Sequence, residues 1–289
     1  MAEVASKKPS KAPRASTKVD LASLAGLTVA LAGILGGLLI EGGKLKDVAQ
    51  FTAGLIVLGG TAGAVMVSTP LPTLVGGLRR LGGVFFDSSL PLDGLLDEVI
   101  GYATQARKQG LVSLEQQATA IQDPFLKKAM DLAVDGTDIQ ELRRMLELEI
   151  DLAQHHVEAE AKVFELAGGY APTVGIIGAV LGLIQVMKNL ANIDEVGHGI
   201  AVSFVATVYG VASANLFFLP AATKIKSRAR AETQRKELIL EGVSGIVEGL
   251  NPKLIRSKLE AYTHSAGRLK PARKRKGAAV EPHGAEVEA

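Results

Sequence analysis

The sequence has no cysteine and no tryptophan. Without cysteine there is neither a disulfide framework nor a thiolate metal site, and cysteine usage gives no sign of a redox compartment. Charge is sparse as well. Asp, Glu, Lys and Arg make up 21% of the chain against 47% apolar residues, and the mean hydropathy is positive. That balance is too apolar for an ordinary soluble domain and points to an integral membrane protein. No phosphate-binding P-loop, HExxH helix or GxSxG elbow occurs in the chain. The residue patterns of nucleotide, zinc-protease and serine-hydrolase chemistry are therefore missing, and neither an enzyme nor a bound cofactor is expected.

What is present are four uncharged stretches, each long enough to cross a hydrocarbon core of about 30 Å at about 1.5 Å per helical residue. The first is Leu21 to Ile40. Its 20 residues are long enough to remain as an anchor rather than a cleaved signal. The second runs from Val48 to Ser68 and ends at Pro70 and Pro72; the third runs from Leu166 to Met187; the fourth lies between His198 and Lys224. The fold class expected is all-α, a four-span transmembrane helical protein whose long helices extend into a cytoplasmic helical domain.

Lys and Arg set the orientation. Lys7, Lys8, Lys11, Arg14 and Lys18 precede the first span, Arg79 and Arg80 follow the second, and Lys224, Lys226, Arg228 and Arg230 follow the fourth. The two short loops on the other side hold only Lys44, Lys46 and Lys188. Both termini and the large middle segment are thus expected on the cytoplasmic side of the membrane.

The expected organisation is a basic, disordered N-terminal tail (1–20), a transmembrane hairpin (21–68) and a cytoplasmic helical domain (69–165). A second hairpin (166–223), a cytoplasmic helical extension (224–262) and a disordered tail (263–289) follow. The middle is acidic and the end basic: residues 69–167 carry 9 basic against 16 acidic side chains, and 15 of the 32 basic residues lie from Lys224 onward. From Ile139 the chain runs without Gly or Pro into the third span, predicting a continuous helix with Asp138 as its cap and Glu141 reaching back to it. His155 and His156 sit about 100° apart on that helix, poor geometry for one metal, and read as a solvated pair. Arg143 and Arg144, with Glu147 and Glu149 nearby, read as surface ion pairs. The terminal "ARKRK" reads as solvated charge beside anionic lipid headgroups, not as a nucleic-acid site.

No ionisable residue lies inside any span; only hydroxyls and amides do, including Thr28, Thr52, Thr61, Thr173, Gln185, Ser203, Thr207, Ser213 and Asn215. Such side chains either line a water-filled path or bond to backbone carbonyls. If the protein conducts an ion, a partner must supply the titrating carboxylate. Pro172 and Pro220 stand near the cytoplasmic ends of the third and fourth spans, where each is either a hinge or a tolerated kink.

Several motifs together resemble the MotA/PomA family, the A subunits of bacterial flagellar stators, which are related more distantly to the ExbB and TolQ energisers. "GGYAPTVGIIGAVLGLIQVM" resembles the third-span signature, with Pro172 at its proline, and "ATVYGVASANLFFLP" the fourth, with Thr207 at the pathway threonine and Pro220 at the second proline. "RKQGLVSLE" resembles the rotor-facing stretch and sets Arg107 and Glu115 on its charged pair, with Glu149 on the same surface. "LIVLGGTAGAVMVSTP" also has the family pattern. The resemblance covers residues 20–262; the N-terminal 20 residues and the extension after 265 lie outside it.

The resemblance implies an A subunit, five copies of which surround a MotB/PomB-like B-subunit dimer whose aspartate binds the coupling ion, H⁺ or Na⁺. Thr207 and Thr173 would line the ion pathway, Pro172 and Pro220 would act as hinges, and the glycines would pack around the partner helix. Arg107, Glu115 and Glu149 would engage the rotor switch protein FliG. The alternative implied is an ExbB/TolQ-type proton-driven energiser of envelope processes. Those relatives have one span before the cytoplasmic segment, where this chain has two.

Overall fold

The computed structural model describes residues 18–87 and 92–267. The all-α reading holds: long helices dominate, and among the described residues the sole extended pairing is a two-residue antiparallel match of Lys18–Val19 (β1) with Phe86–Asp87 (β2).

The first apolar run forms α1 (Leu21–Ile40), capped by the Asp20 carboxylate accepting from the Ser23 amide at 3.2 Å. Gly42, at φ 81°, turns the chain back after it. A single turn, α2 (Leu45–Val48), leads into the second span, built from α3 (Phe51–Gly54), a π turn (Leu55–Gly59) and α4 (Gly60–Ser68). Pro70 and Pro72 then start the amphipathic α5 (Leu71–Phe85), which lays Gly77 and Val84 inward and leaves Leu71 and Leu78 exposed.

The cytoplasmic head contains α6 (Leu92–Gln109), a 3₁₀ turn (Leu111–Leu114), α7 (Glu115–Ala118) and α8 (Pro124–Val134). Asp123 caps α8 through the Phe125 and Leu126 amides at 2.8 and 3.0 Å. Two long helices complete the fold. α9 (Ile139–Lys188) has 50 residues, about 75 Å of helix. After a short turn, α10 (Ile193–Ser213), a π turn (Ala214–Phe218) and α11 (Leu219–Val247) run on as one rod of 55 residues. A last helix, α12 (Pro252–Gly267), folds back onto the head. The head's core joins Val99, Leu126, Met130, Leu142, Leu146, Leu238, Ile239 and Leu259 from five helices, so the outer ends of both rods are fixed in one packed body.

Four differences from the sequence reading have local causes. Residues 18–20, assigned to the tail, are ordered because β1 pairs with β2 and Asp20 caps α1; the rest of that tail lies outside the described residues. Residues 263–267, assigned to the C-terminal tail, continue α12, and the remainder again lies outside them. Asp138 caps α9 by accepting from the Gln140 amide at 2.9 Å, but Glu141 turns along the helix to Arg144 at 3.4 Å. Arg143 is no surface pair: half-buried, it reaches Glu241 of α11 at 2.9 Å and ties the two rods within the head. That contact holds the Glu241 carboxyl below, and the guanidinium above, its ordinary range.

Candidate ion pathway and force-transmitting helices

Gly175, Gly178 and Gly182 of the third span face α10 of the same chain, and Gly168 faces Leu219 of α11. A methyl group at Gly175 would fall 2.9 Å from the Ala206 carbonyl oxygen and 3.2 Å from the Gly210 Cα; one at Gly178 would meet the Ala206 side chain, and one at Gly182 the Gly199 carbonyl oxygen at 2.8 Å. Gly199 and Gly210 are equally crowded in return. The rods therefore cross almost backbone to backbone, as small residues allow in lipid. This corrects the expectation that these glycines pack around a partner helix: only Gly169, with nothing within 4 Å, remains open for one.

Neither proline interrupts its helix. α9 continues through Pro172, which lies at the closest crossing, 3.2 Å from where a Gly210 methyl would stand. Pro220 follows the π turn, in which the Leu219 amide reaches the Ala214 carbonyl. The widened turn absorbs the amide missing at 220.

The hydroxyls sort by exposure. Ser203 is buried and donates to the carbonyl of Ala179 at 2.8 Å, with Gly199 O at 2.9 Å as its other acceptor, so it stitches α10 to α9. Thr207 is half-buried and donates to Ser203 O at 3.2 Å; Thr173 is exposed and donates to Tyr170 O at 2.8 Å. Both pathway candidates thus sit on satisfied backbone bonds, and no hydrogen bond joins them. Asn215, exposed at the π turn, donates to Val211 O at 2.9 Å. Tyr209 crosses to the first hairpin, donating to Val48 O at 2.5 Å and accepting from the Gln50 amide at 3.3 Å.

Charge gathers at the edges of the spans. Glu160, six residues before the third span, is 5% exposed and pairs with Arg80 of α5 and with His156 at 3.2 Å. His156 is therefore not merely solvated. Glu160 lies over Gly76 and Gly77, where α5 carries no side chains to obstruct it. At the foot of α1, Asp20 meets Lys224 at 2.5 Å and Arg228 at 3.1 Å. The Lys224 hydrogen bond, helped by the Ser23 amide and Arg228 against the cost of burial, lowers the Asp20 carboxyl to about 2. Arg228 also donates to the carbonyls of Phe86 and Val84, which joins α1, α5 and α11 at one knot. Above it an open cleft of about 710 Å³ separates α1 from the α10–α11 junction.

Arg107 lies in the last turn of α6 and Glu115 opens α7; both are exposed and, among the described residues, neither has an ion-pair partner. Glu149, on α9, is engaged by Lys128 of α8.

Residues 24–100 match the model described as Motility protein A N-terminal, and residues 117–238 that of the MotA/TolQ/ExbB proton channel family. Motility protein A of Bacillus subtilis is 33% identical over 87% of this chain and 94% of its own length. The chain belongs to the motility protein A family. Chemotaxis protein PomA of Vibrio alginolyticus is 31% identical over 86% of this chain and 98% of its own. The flagellar MotAB stator complex from Bacillus subtilis superposes with a TM-score of 0.78 at 33% identity, covering 87% of this chain and all of that one. Motility protein A relatives are channel and motility proteins, not enzymes, and the four apolar helices make this member a multi-pass membrane protein.

Two groups escaped the sequence reading: Asp20 and Glu160. The signal for Asp20 was an Asp directly before an apolar run, the pattern of an N-cap. For Glu160 it was a pair of glycines in α5 one turn before Arg80, which leave room for a carboxylate from outside that helix.

Proposed function

We propose that this chain is the A subunit of an ion-driven flagellar stator and forms with a B subunit a torque generator that turns the rotor. The observation that carries the reading is that the four apolar spans hold hydroxyls and amides but no acidic or basic side chain. An A subunit of this kind needs its ion carrier from another chain. That chain is a MotB-like partner with an intramembrane aspartate, around which several copies, five in the family pattern, assemble. H⁺ or Na⁺ is the coupling ion. Thr207 and Thr173 face the pathway, while Pro172 and Pro220 mark where the rods yield as the ring turns. Arg107 and Glu115 meet FliG, with both termini and the head in the cytoplasm of a bacterial inner membrane.

The two-span hairpin favours this reading over an ExbB/TolQ-type energiser, and residues 24–100 carry the motility protein A N-terminal match. Expression with a single-span partner bearing the aspartate should restore swimming to a stator-deleted host, and expression alone should not. Cation flux through the purified chain without any partner would refute the proposal.

A further inference from the structure

The turn that separates Arg107 from Glu115 is held by one side chain from its flank. Gln105, half-buried on α6, donates from Nε2 to the Ser113 carbonyl at 3.1 Å and accepts at Oε1 from Gln117 Nε2 at 2.6 Å. It thereby joins the end of α6, the 3₁₀ turn and α7. Gly110, at φ 81°, reverses the chain, Ser113 Oγ closes onto the Gly110 carbonyl at 2.7 Å, and fully buried Leu114 pins the turn from beneath. The outer side carries Arg107, Lys108, Val112 at 72% exposure, and Glu115.

We propose that Gln105 is a positioning residue that sets the spacing of Arg107 and Glu115, and so the register in which this tip meets a charge-patterned protein surface. The inference rests on the rotor-facing reading above. Exposed ion pairs contribute little each, so charge alone registers a contact poorly. A tip already held in its bound shape loses less conformational freedom on docking. Among side chains of this length only an amide can donate to the Ser113 carbonyl and accept from Gln117 at once. Arg107 lies two residues from Gln105, and Glu115 two from both Ser113 and Gln117, so loosening the amide frees both charges together.

The test compares Q105L, Q117L, the double variant and Q105E in a motile host lacking its own stator. Readouts are membrane level, the melting temperature of the purified A–B complex, amide exchange across residues 110–117, and the residence time of tagged units at the motor. Q105L, which removes both hydrogen bonds, should leave level and melting unchanged, accelerate exchange in that segment and shorten residence at least about fivefold, the scale that a single hydrogen bond sets. Q117L, which keeps the Ser113 bond, should do less, and the double variant should be no worse than Q105L because the groups act as one unit.

Native residence in Q105L, or a shortened residence with unchanged exchange, would overturn the proposal. If Q105L fails to accumulate, Q105E decides: it keeps the acceptor for Gln117 but loses the donor to Ser113, and a native residence there overturns it equally. The charge reversals R107E and E115K separate the two ideas. If they impair the motor and Q105L does not, the amide lock is wrong; if they too are silent, the rotor-facing reading is what fails.

Discussion

Asp20 and Arg228, 208 residues apart in the sequence, meet at 3.1 Å where the first apolar helix begins. The contact matters because α1 has no buried residue of its own and needs a fixed foot. With Lys224 on the same carboxylate and β1 paired to β2, that foot is clasped to the base of the fourth span.

Asp20→Asn should loosen this clasp. The carboxyl sits at about 2 against an ordinary 3.8, a difference that, reduced by solvent screening, favours the folded, ionised form by about 1 kcal/mol. Because the folded value is depressed, that contribution is present in full above the ordinary value and is lost as pH falls from about 4 to about 2. The purified protein should therefore melt earlier as Asn, and the gap between the two proteins should close in that window. A gap unchanged at pH 2 would show that the carboxylate is not the source.

Gly175→Val tests the crossing of the rods. The new side chain would be driven into the Ala206 carbonyl and the Gly210 backbone, neither of which can swing aside. Overpacking of this kind costs about 1–3 kcal/mol or displaces the helix. Gly169→Ala, which meets nothing within 4 Å, is the matched control for stability. Thermal unfolding of both in detergent should separate them; equal midpoints would mean that the rods are not tightly packed in the protein.

The four spans were legible because apolar length is a one-dimensional signal, and the long α9 because no Gly or Pro interrupts residues 139–167. What could not be read was which face each small or charged residue presents. Gly175 and Gly169 look alike in sequence, yet one touches α10 and the other nothing. Arg143 and Arg144 are neighbours, yet a helical step of about 100° sends one to Glu241 and leaves the other exposed. Glu160 lay just beyond the span limit, so a count of charges within spans passed over it.

Glu160→Ala should release α5 from α9. Removing the carboxylate leaves Arg80 facing a close-packed site without its partner. Since Arg80 is itself 39% exposed, the cost is reduced by solvent to about 1–2 kcal/mol. Glu160→Gln, which keeps the shape and a hydrogen-bond acceptor, should lose less. Protease sensitivity of the segment around Arg79 and Arg80 reports the release directly; equal cleavage of the two variants and the parent would remove the pairing from the account.

Thr207→Ala asks whether a half-buried hydroxyl does more than satisfy a carbonyl. Its bond to Ser203 O lies within one helix, so its removal should cost well under about 1.5 kcal/mol and leave membrane level unchanged. If the side chain lines the ion path, swimming should fall sharply at that normal level, and Thr207→Ser, which keeps the oxygen, should retain most of it. Ser203→Ala separates packing from pathway, because Ser203 bridges α10 to α9 and its loss should lower stability along with motility. Full swimming in Thr207→Ala would return this threonine to a purely structural part, and the path would then have to be sought along the exposed Thr173 face.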